Sequence, residues 1–256
     1  MTPLFKSHYS IGKSILTLNE PSKEDGSSDS VFDIVSENNL KEVVMVEDSF
    51  MGFLQCNKVC KSLGVNFRFG LRLSIIDEGA DIEDKKTTNH KVVIFSKNSS
   101  GCKILFKIYS KAKSNQLEAI TLTDLLGLWD SDNLDLAIPF YDSFLFKNLF
   151  SFSCFALDLS PFNPTFFTES NGLPFDFLLD STVRNYTESN GFQSMETKSI
   201  YYKNRRDFDS FLTYKLICSR NSFASRKSSL EKPNLDHMGS KEFCFESLLD
   251  NQIQHK

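Results

Sequence analysis

The stretch from Glu42 to Leu73 constrains the fold more than any other part of the sequence. Val43 to Val46 form a short, wholly apolar run, which predicts a strand covered on both faces. From Gly52 the apolar residues recur at helical spacing, and Gly64 stands where a helix would end. Val65 to Leu73 then alternate as a second strand. A strand–helix–strand unit of this length predicts a right-handed parallel crossover and an α/β fold.

Two carboxylates, Glu47 and Asp48, follow the first of these strands. Parallel α/β folds place their sites at the carboxyl ends of strands. We therefore expect a functional site at this position.

Composition narrows the class of protein. With 256 residues and 40% apolar content, the chain can bury a substantial core. Its net charge of −4 excludes a protein that binds nucleic acid through an overall positive charge, so any contact with DNA must come from a local basic patch. No apolar run approaches membrane-spanning length, and the first residues lack the apolar core of a signal peptide. We expect the six cysteines to be reduced, buried thiols, and the protein to be cytoplasmic, or in the host cytoplasm if its source is viral.

Strand and helix patterns alternate along the chain, and we predict a single domain over residues 1–256. Residues 74–90 and 160–195 are predicted to be loop-rich excursions, and residues 218–240 a polar connection to a last helix. We also predict a helix from Ile120 to Trp129, with Thr123 as its cap, and a strand from Phe155 to Leu159.

Five blocks, in order, resemble the PHP (polymerase and histidinol phosphatase) domain of the bacterial family C DNA polymerase, the polymerase III alpha subunit. The blocks are distributed along nearly the whole chain: Ser7–Ser10, Val43–Leu73, Val92–Leu105, Glu196–Leu216 and Met238–Leu249. The second block keeps Asp48, Gly52 and Gly64 in register with the family pattern, and the third, VVIFSKNSSGCKIL, is similar along its whole length. The resemblance implies a PHP-type distorted (β/α)7 barrel.

Active PHP domains bind a cluster of divalent metals and hydrolyse phosphoesters, so the resemblance also indicates which residues stand at the metal-ligand positions. The eight positions at which the resemblance implies metal ligands are Lys6, His8, Asp48, Ser49, Arg72, Lys91, Ser199 and Tyr201. Most of these residues are not of a type that the family uses as a ligand. Three of the eight are cations, which would repel a divalent cluster. We therefore predict a dismantled metal site, with no catalytic residue and no cofactor.

Two interpretations of the remaining groups stay open. His8 and Asp48 could still hold one metal ion. Alternatively, Lys6, Lys91 or Arg72 pairs with Asp48, so that buried charges replace the metals as internal cross-links.

Two basic stretches are candidate contacts to a DNA backbone. Lys103, Lys107 and Lys111 form a stripe on a predicted helix, and Arg205 and Arg206 open another helix. A solvated helix face is the alternative for the stripe.

The resemblance implies a function in DNA replication. We expect a non-catalytic PHP-like subunit, a pseudoenzyme, that scaffolds a separate polymerase chain or a proofreading exonuclease and meets DNA only indirectly, with no membrane partner. The chain stops where the family's PHP domain ends, so a replicase split over several chains, as in a phage, is expected. The alternatives are a metal-dependent phosphoesterase or exonuclease with a reduced metal site, and a free-standing adaptor that has left replication.

Overall fold

The computed structural model describes residues 1–21, 28–76, 90–114, 116–150, 156–218 and 239–254. Most of the 74–90 excursion, most of the 218–240 connection and Cys154 lie outside the described residues.

The described residues contain strands and helices in near alternation. The strands are β1 (Thr2–Phe5), β2 (Glu42–Glu47), β3 (Asn66–Ile76), β4 (His90–Ser96), β5 (Ala119–Thr121), β6 (Leu134–Ile138), β7 (Thr165–Thr168) and β8 (Gln193–Ile200). The helices are α1 (Val31–Glu37), α2 (Phe53–Leu63), α3 (Ser99–Lys113), α4 (Leu122–Leu128), α5 (Phe144–Phe150), α6 (Asp176–Asn190), α7 (Phe208–Cys218) and α8 (Phe245–Gln254). Two short 3-10 turns, Ser160–Phe162 and Arg205–Asp207, complete the set.

The strands pair in the order β2-β1-β8-β7-β6-β4-β3-β5, and a further pairing of β2 with β3 closes seven of them into a barrel. The barrel is mixed, because β4 runs antiparallel to both of its neighbours, β3 and β6. The pairs β1–β2, β1–β8, β6–β7 and β7–β8 are parallel. An α/β fold with a closed seven-stranded barrel is thereby confirmed.

The chain divides into two compact units. Unit 1 comprises Met1–Phe69, Ser170–Pro174 and Thr197–Lys256, and unit 2 comprises Gly70–Glu169 and Phe175–Glu196.

Local signals in the sequence explain the helices of unit 1. Ser30 caps α1, accepting a hydrogen bond from Phe32, while Asp33 bonds back to the Ser30 backbone in a capping box. Gly64 ends α2 in the left-handed conformation, with φ of 66°, where an L side chain would be strained. Five of the six residues of β2 are buried, as predicted for a strand covered on both faces.

Unit 2 packs α3 against the strands through an apolar stripe. Asn98 caps this helix, and Leu105, Ile108 and Ala112 lie buried along one face at helical spacing. The third residue of the helix, Gly101, is required by close approach, since a Cβ there would lie 2.2 Å from the Asn133 carbonyl oxygen.

Several local predictions are wrong. The segment expected to be one helix from Ile120 is a short strand, β5, followed by α4, and Thr121 rather than Thr123 is the cap. Ala156 to Leu159 form no strand; the strand is β7, further along the chain. Residues 160–195 are not loop-rich, because they hold β7 and the fifteen-residue helix α6.

The last correction has a clear physical reason. The buried face of α6 consists of Asp176, Leu179, Val183 and Thr187, and two of these four residues are polar. The apolar residues alone therefore do not recur at helical spacing, and their pattern does not predict a helix. In α2 one apolar residue, Leu54, does not lie on the buried face, because it is 75% exposed.

The cysteines follow the prediction only in part. Cys56, Cys60 and Cys244 are buried free thiols, whereas Cys102 is half-buried and Cys218 is exposed, so these last two contradict the prediction of buried thiols.

Among the described residues, no helix has the length and apolar character needed to cross a membrane.

Candidate functional site

In unit 1 the candidate site residues lie at one edge of three parallel strands. β1 pairs with β2 and with β8 in parallel, so the carboxyl ends of these strands lie at the same edge. Lys6 follows β1 directly, Asp48 follows β2 directly, and Ser199 lies near the end of β8. The topology thus brings to one edge three residues that are far apart in sequence and that stand at the predicted ligand positions.

At this edge, Lys6 forms an ion pair with Asp48. The Lys6 Nζ lies 3.4 Å from Asp48 Oδ1, and the exposed fractions of the two side chains are 7% and 34%. This is the pairing that the second sequence interpretation predicted, and Lys6 is the cation that makes it. Lys6, which stands where the resemblance implies a metal-binding histidine, therefore neutralises the carboxylate of Asp48.

Glu47, which was expected at the end of a buried strand but is not among the ligand positions that the resemblance implies, is the most buried acid of this edge. It is 2% exposed, and its carboxylate accepts hydrogen bonds from the Ser7 backbone N–H at 2.7 Å and from the Ser10 hydroxyl. Burial raises the pKa of Glu47, while Lys6 and the two serines act in the opposite direction. Lys6 thus faces two carboxylates, Glu47 and Asp48. The only sequence signal for Glu47 was its place at the end of a buried strand.

His8 is placed by contacts on the loop after β1. Its Nδ1 lies 3.3 Å from the Leu16 carbonyl oxygen, and its ring centroid is 4.3 Å from that of Tyr9. Tyr9 in turn donates a hydrogen bond to Gln55 of α2 at 3.0 Å. A metal held by His8 and Asp48 would have to displace the Lys6 ion pair at Asp48.

The other unit 1 positions carry side chains with structural contacts. Tyr201 stacks on Phe243, with ring centroids 5.4 Å apart and planes 9° from parallel. Ser199 pairs with Leu4 in the β1–β8 ladder. The Ser49 hydroxyl accepts a hydrogen bond from the Met51 backbone N–H at 3.4 Å.

In unit 2, Arg72 and Lys91 also lie at a single edge. Because β4 runs antiparallel between β3 and β6, the amino end of β4 lies beside the carboxyl ends of both neighbours. Arg72 forms an ion pair with Asp142, in the turn after β6, and Lys91 donates from Nζ to the hydroxyl of its cross-strand partner Ser74. The ion pair of Arg72 with Asp142 and the hydrogen bond of Lys91 with Ser74 both lie within unit 2.

Two titratable residues near this edge were missed by sequence reasoning. Lys147 of α5 has a lowered pKa, first because of burial and further because of Arg72, with Asp142 acting in the opposite direction. Burial lowers the pKa of His90 to about 4, and Lys147 adds to that effect. Lys147 stands in a Phe-rich segment and His90 one residue from an expected ligand position, so neither had a pattern that marked it.

The predicted DNA contacts differ in their surroundings. Lys103, Lys107 and Lys111 are exposed along α3, and Lys111 lies 3.4 Å from Asp124. Arg205 is bound by three carboxylates of the same unit: Glu242 at 2.8 Å, Glu246 at 3.3 Å and Asp250 at 2.6 Å.

A DNA phosphate at Arg205 would have to compete with this acidic network. Arg206, whose side chain is 85% exposed, is therefore the better candidate of the two. The prediction of DNA contacts stays a prediction for both stretches.

The donor set does not fit the metal cluster that the family resemblance implies. Within the described ranges, no three or more His, Cys, Asp or Glu side chains come together in an arrangement able to hold a metal ion. At the strand-end edge of unit 1, three of the positions where the resemblance implies metal ligands hold the Lys6–Asp48 ion pair and the stacked ring of Tyr201.

Comparison with models of known protein families and with curated protein sequences gives no match to this chain. Fold and site together define an α/β barrel protein with ion pairs at the strand ends. The PHP resemblance rests on the sequence blocks quoted above.

Proposed function

We propose that this chain is a non-catalytic PHP-like subunit of a DNA polymerase III-type replication complex, and that it scaffolds a separate polymerase chain or a proofreading exonuclease. The observation that carries the proposal is the Lys6–Asp48 ion pair. It puts a fixed cation at a position where the family carries a metal ligand, on a closed seven-stranded α/β barrel. The ordered sequence blocks supply the link to replication.

A fixed cation differs from a bound metal in what it does chemically. A divalent metal can lower the pKa of a bound water and so generate a nucleophile, whereas a lysine ammonium can only balance charge and donate hydrogen bonds. An edge held by such pairs suits a barrel whose role is to keep its shape and present a surface.

The first experiment measures metal content and hydrolysis together on the purified chain. Elemental analysis is combined with Mn²⁺- and Zn²⁺-supplemented assays on a model phosphodiester and on single-stranded DNA. The proposal expects no stoichiometric metal and no turnover. Two or more bound metals, with turnover that is lost in His8→Ala and Asp48→Ala, would replace it with a metal-dependent phosphoesterase.

A second experiment tests the scaffolding role directly. The chain is mixed with a family C polymerase chain encoded by the same genome, and light scattering after size exclusion reports the stoichiometry. We expect a stoichiometric complex whose primer extension is more active or more heat-resistant than that of the polymerase chain alone. If no complex forms, and the chain also shows neither bound metal nor hydrolysis, a free-standing adaptor is the remaining hypothesis.

A further inference from the structure

The outer face of α3 carries charge of a single sign. The fifteen residues of this helix include four lysines and no aspartate or glutamate, in a chain whose net charge is −4. Lys103, Lys107 and Lys111 recur every four residues, so their Cα atoms advance about 6 Å per step along the helix axis. All three are exposed. The helix therefore presents a local basic surface on an acidic protein.

Neighbouring acids balance this charge only in part. Lys111 and Lys113, towards the end of the helix, each form an ion pair with a partly exposed acid, at 3.4 Å and 2.6 Å. Within the part of the chain that the structure describes, the side chains of Lys103 and Lys107 make neither an ion pair nor a hydrogen bond. Because exposed ion pairs are weak, an incoming anion can compete for Lys111 as well.

An exposed aromatic ring accompanies the lysines. Phe106 lies between Lys103 and Lys107 in the sequence and is 44% exposed. Residues three apart are neighbours on the surface of a helix, so Phe106 is adjacent to Lys103. Aromatic rings beside a basic track are the platforms on which unpaired bases stack.

The chemistry of this face suits nucleic acid better than a membrane or a protein partner. The apolar stripe of α3, which consists of Leu105, Ile108 and Ala112, is fully buried against the strands, so this helix has no apolar face to insert into lipid. A protein interface needs an apolar core, whereas the outer face of α3 holds a single aromatic residue among lysines and serines. Interfaces with nucleic acid are more polar and more positively charged.

We infer that the outer face of α3 binds a single nucleic-acid strand, with Lys103, Lys107 and Lys111 against its backbone phosphates and Phe106 stacked on a base. Lysine meets phosphate as a point charge and stacking accepts every base, so binding is independent of sequence. The inference goes beyond the proposed function, in which the chain meets DNA only indirectly. It does not depend on that function, because it is tested without a polymerase chain.

Fluorescence anisotropy of a labelled oligothymidylate, titrated with the full chain at several salt concentrations, measures the binding. We expect the logarithm of the affinity to fall linearly with the logarithm of the salt concentration, with a slope of about −2 for three phosphate contacts on a single strand. A duplex of the same length should bind more weakly, because its paired bases are not available to the ring. No binding at low salt, or a duplex bound as tightly as the single strand, would overturn the inference.

Paired variants locate the binding on α3. Lys103→Gln combined with Lys107→Gln should weaken binding about tenfold and make the salt slope shallower by about 1.4, which is about 0.7 for each lysine. The matched control is Lys58→Gln combined with Lys61→Gln, which removes two exposed lysines from α2 and changes the net charge equally. The control should change affinity less than about twofold, since distant surface charges are screened by salt. Equal losses in the two double variants would refute a site on α3.

Phe106→Leu tests the commitment to a single strand. This variant keeps an apolar side chain and removes the ring, so it should weaken binding about fivefold without changing the salt slope. An unchanged affinity would contradict stacking. Phosphatidylserine vesicles and polyglutamate serve as competitors, and either one displacing the labelled strand as well as unlabelled oligothymidylate does would also overturn the inference. Circular dichroism confirms that each variant is folded, which is expected for the lysine variants because the positions are exposed and glutamine favours helix.

Discussion

Replacing Lys6 by methionine tests whether the ion pair is an internal cross-link. Two unit charges separated by 3.4 Å, as Lys6 Nζ and Asp48 Oδ1 are, attract by about 5 kcal/mol at an effective dielectric constant of about 20. Desolvation of the lysine offsets much of this, and Asp48, which is 34% exposed, is partly screened by water. We expect Lys6→Met to lower the free energy of unfolding by about 2 kcal/mol at neutral pH.

The effect should depend on pH through Glu47. Lys6 lowers the pKa of Glu47, so its removal allows burial to raise that pKa further. A carboxyl with a raised folded-state pKa stabilises the folded state at low pH and loses this contribution as pH rises. The loss in Lys6→Met should therefore be smaller near pH 5 than near pH 7, which urea unfolding at the two pH values measures.

The chain offers a matched control. Lys111 and Asp124 are separated by the same 3.4 Å, but their side chains are 53% and 38% exposed. Lys111→Met should change stability by less than about 1 kcal/mol, as is usual for surface pairs. Asp48→Asn, alone and combined with Lys6→Met, completes a double-mutant cycle for the buried pair. A loss in Lys6→Met no larger than in Lys111→Met, or a coupling energy near zero, would refute the cross-link.

Three further predictions concern single residues. Glu47→Gln removes a carboxyl with a raised pKa, so the variant should gain stability relative to the wild type as pH rises from about 4 to about 8; a constant difference in urea unfolding would contradict this. Arg205→Gln should lower the free energy of unfolding by about 2 kcal/mol, whereas the exposed control Arg206→Gln should change it by less than about 0.5 kcal/mol. Equal effects of the two variants on urea unfolding would show that the ion pairs of Arg205 with its three carboxylates do not stabilise the fold. Because burial lowers its pKa, His90 should titrate by NMR with a midpoint of about 4, and stability should fall as pH drops below the unfolded value of about 6.5; a midpoint near 6.5 would contradict the burial argument.

The part of the fold that sequence reasoning predicted is the part with strong local signals. β2, α2 and β3 carry a clean change of hydrophobic period, and Gly64 marks the helix end by a conformation that few other residues adopt. The errors fall where tertiary packing overrides the local pattern. In α6, for example, buried Thr187 and Asp176 hide the helical period. The pairing of β2 with β3, which closes the barrel, joins two strands of the unit that the sequence predicts. The order of the other strands depends on pairings between distant segments, which no local pattern shows.

The site was predictable to the extent that it depends on strand ends. Lys6 and Asp48 each follow a buried strand, and parallel pairing brings such ends together, so their ion pair could be expected from the sequence. The partner of Arg72 could not, because Asp142 lies in a left-handed turn that no local pattern predicts. Glu47 and Lys147 gained their perturbed pKa values from burial, which depends on packing that the sequence does not display.

The cations at the positions where the resemblance implies metal ligands are held differently in the two units. In unit 1, Lys6 faces two carboxylates, Glu47 and Asp48, and its own side chain is 7% exposed, so removing it leaves acids in a place where water screens them poorly. In unit 2, Arg72 pairs with Asp142, whereas Lys91 donates to the hydroxyl of Ser74. The groups that the topology brings to each strand end, rather than the cation itself, therefore decide how much each contact contributes to stability. This is why Lys6→Met, which removes a cation facing two acids, is the decisive variant for the cross-link.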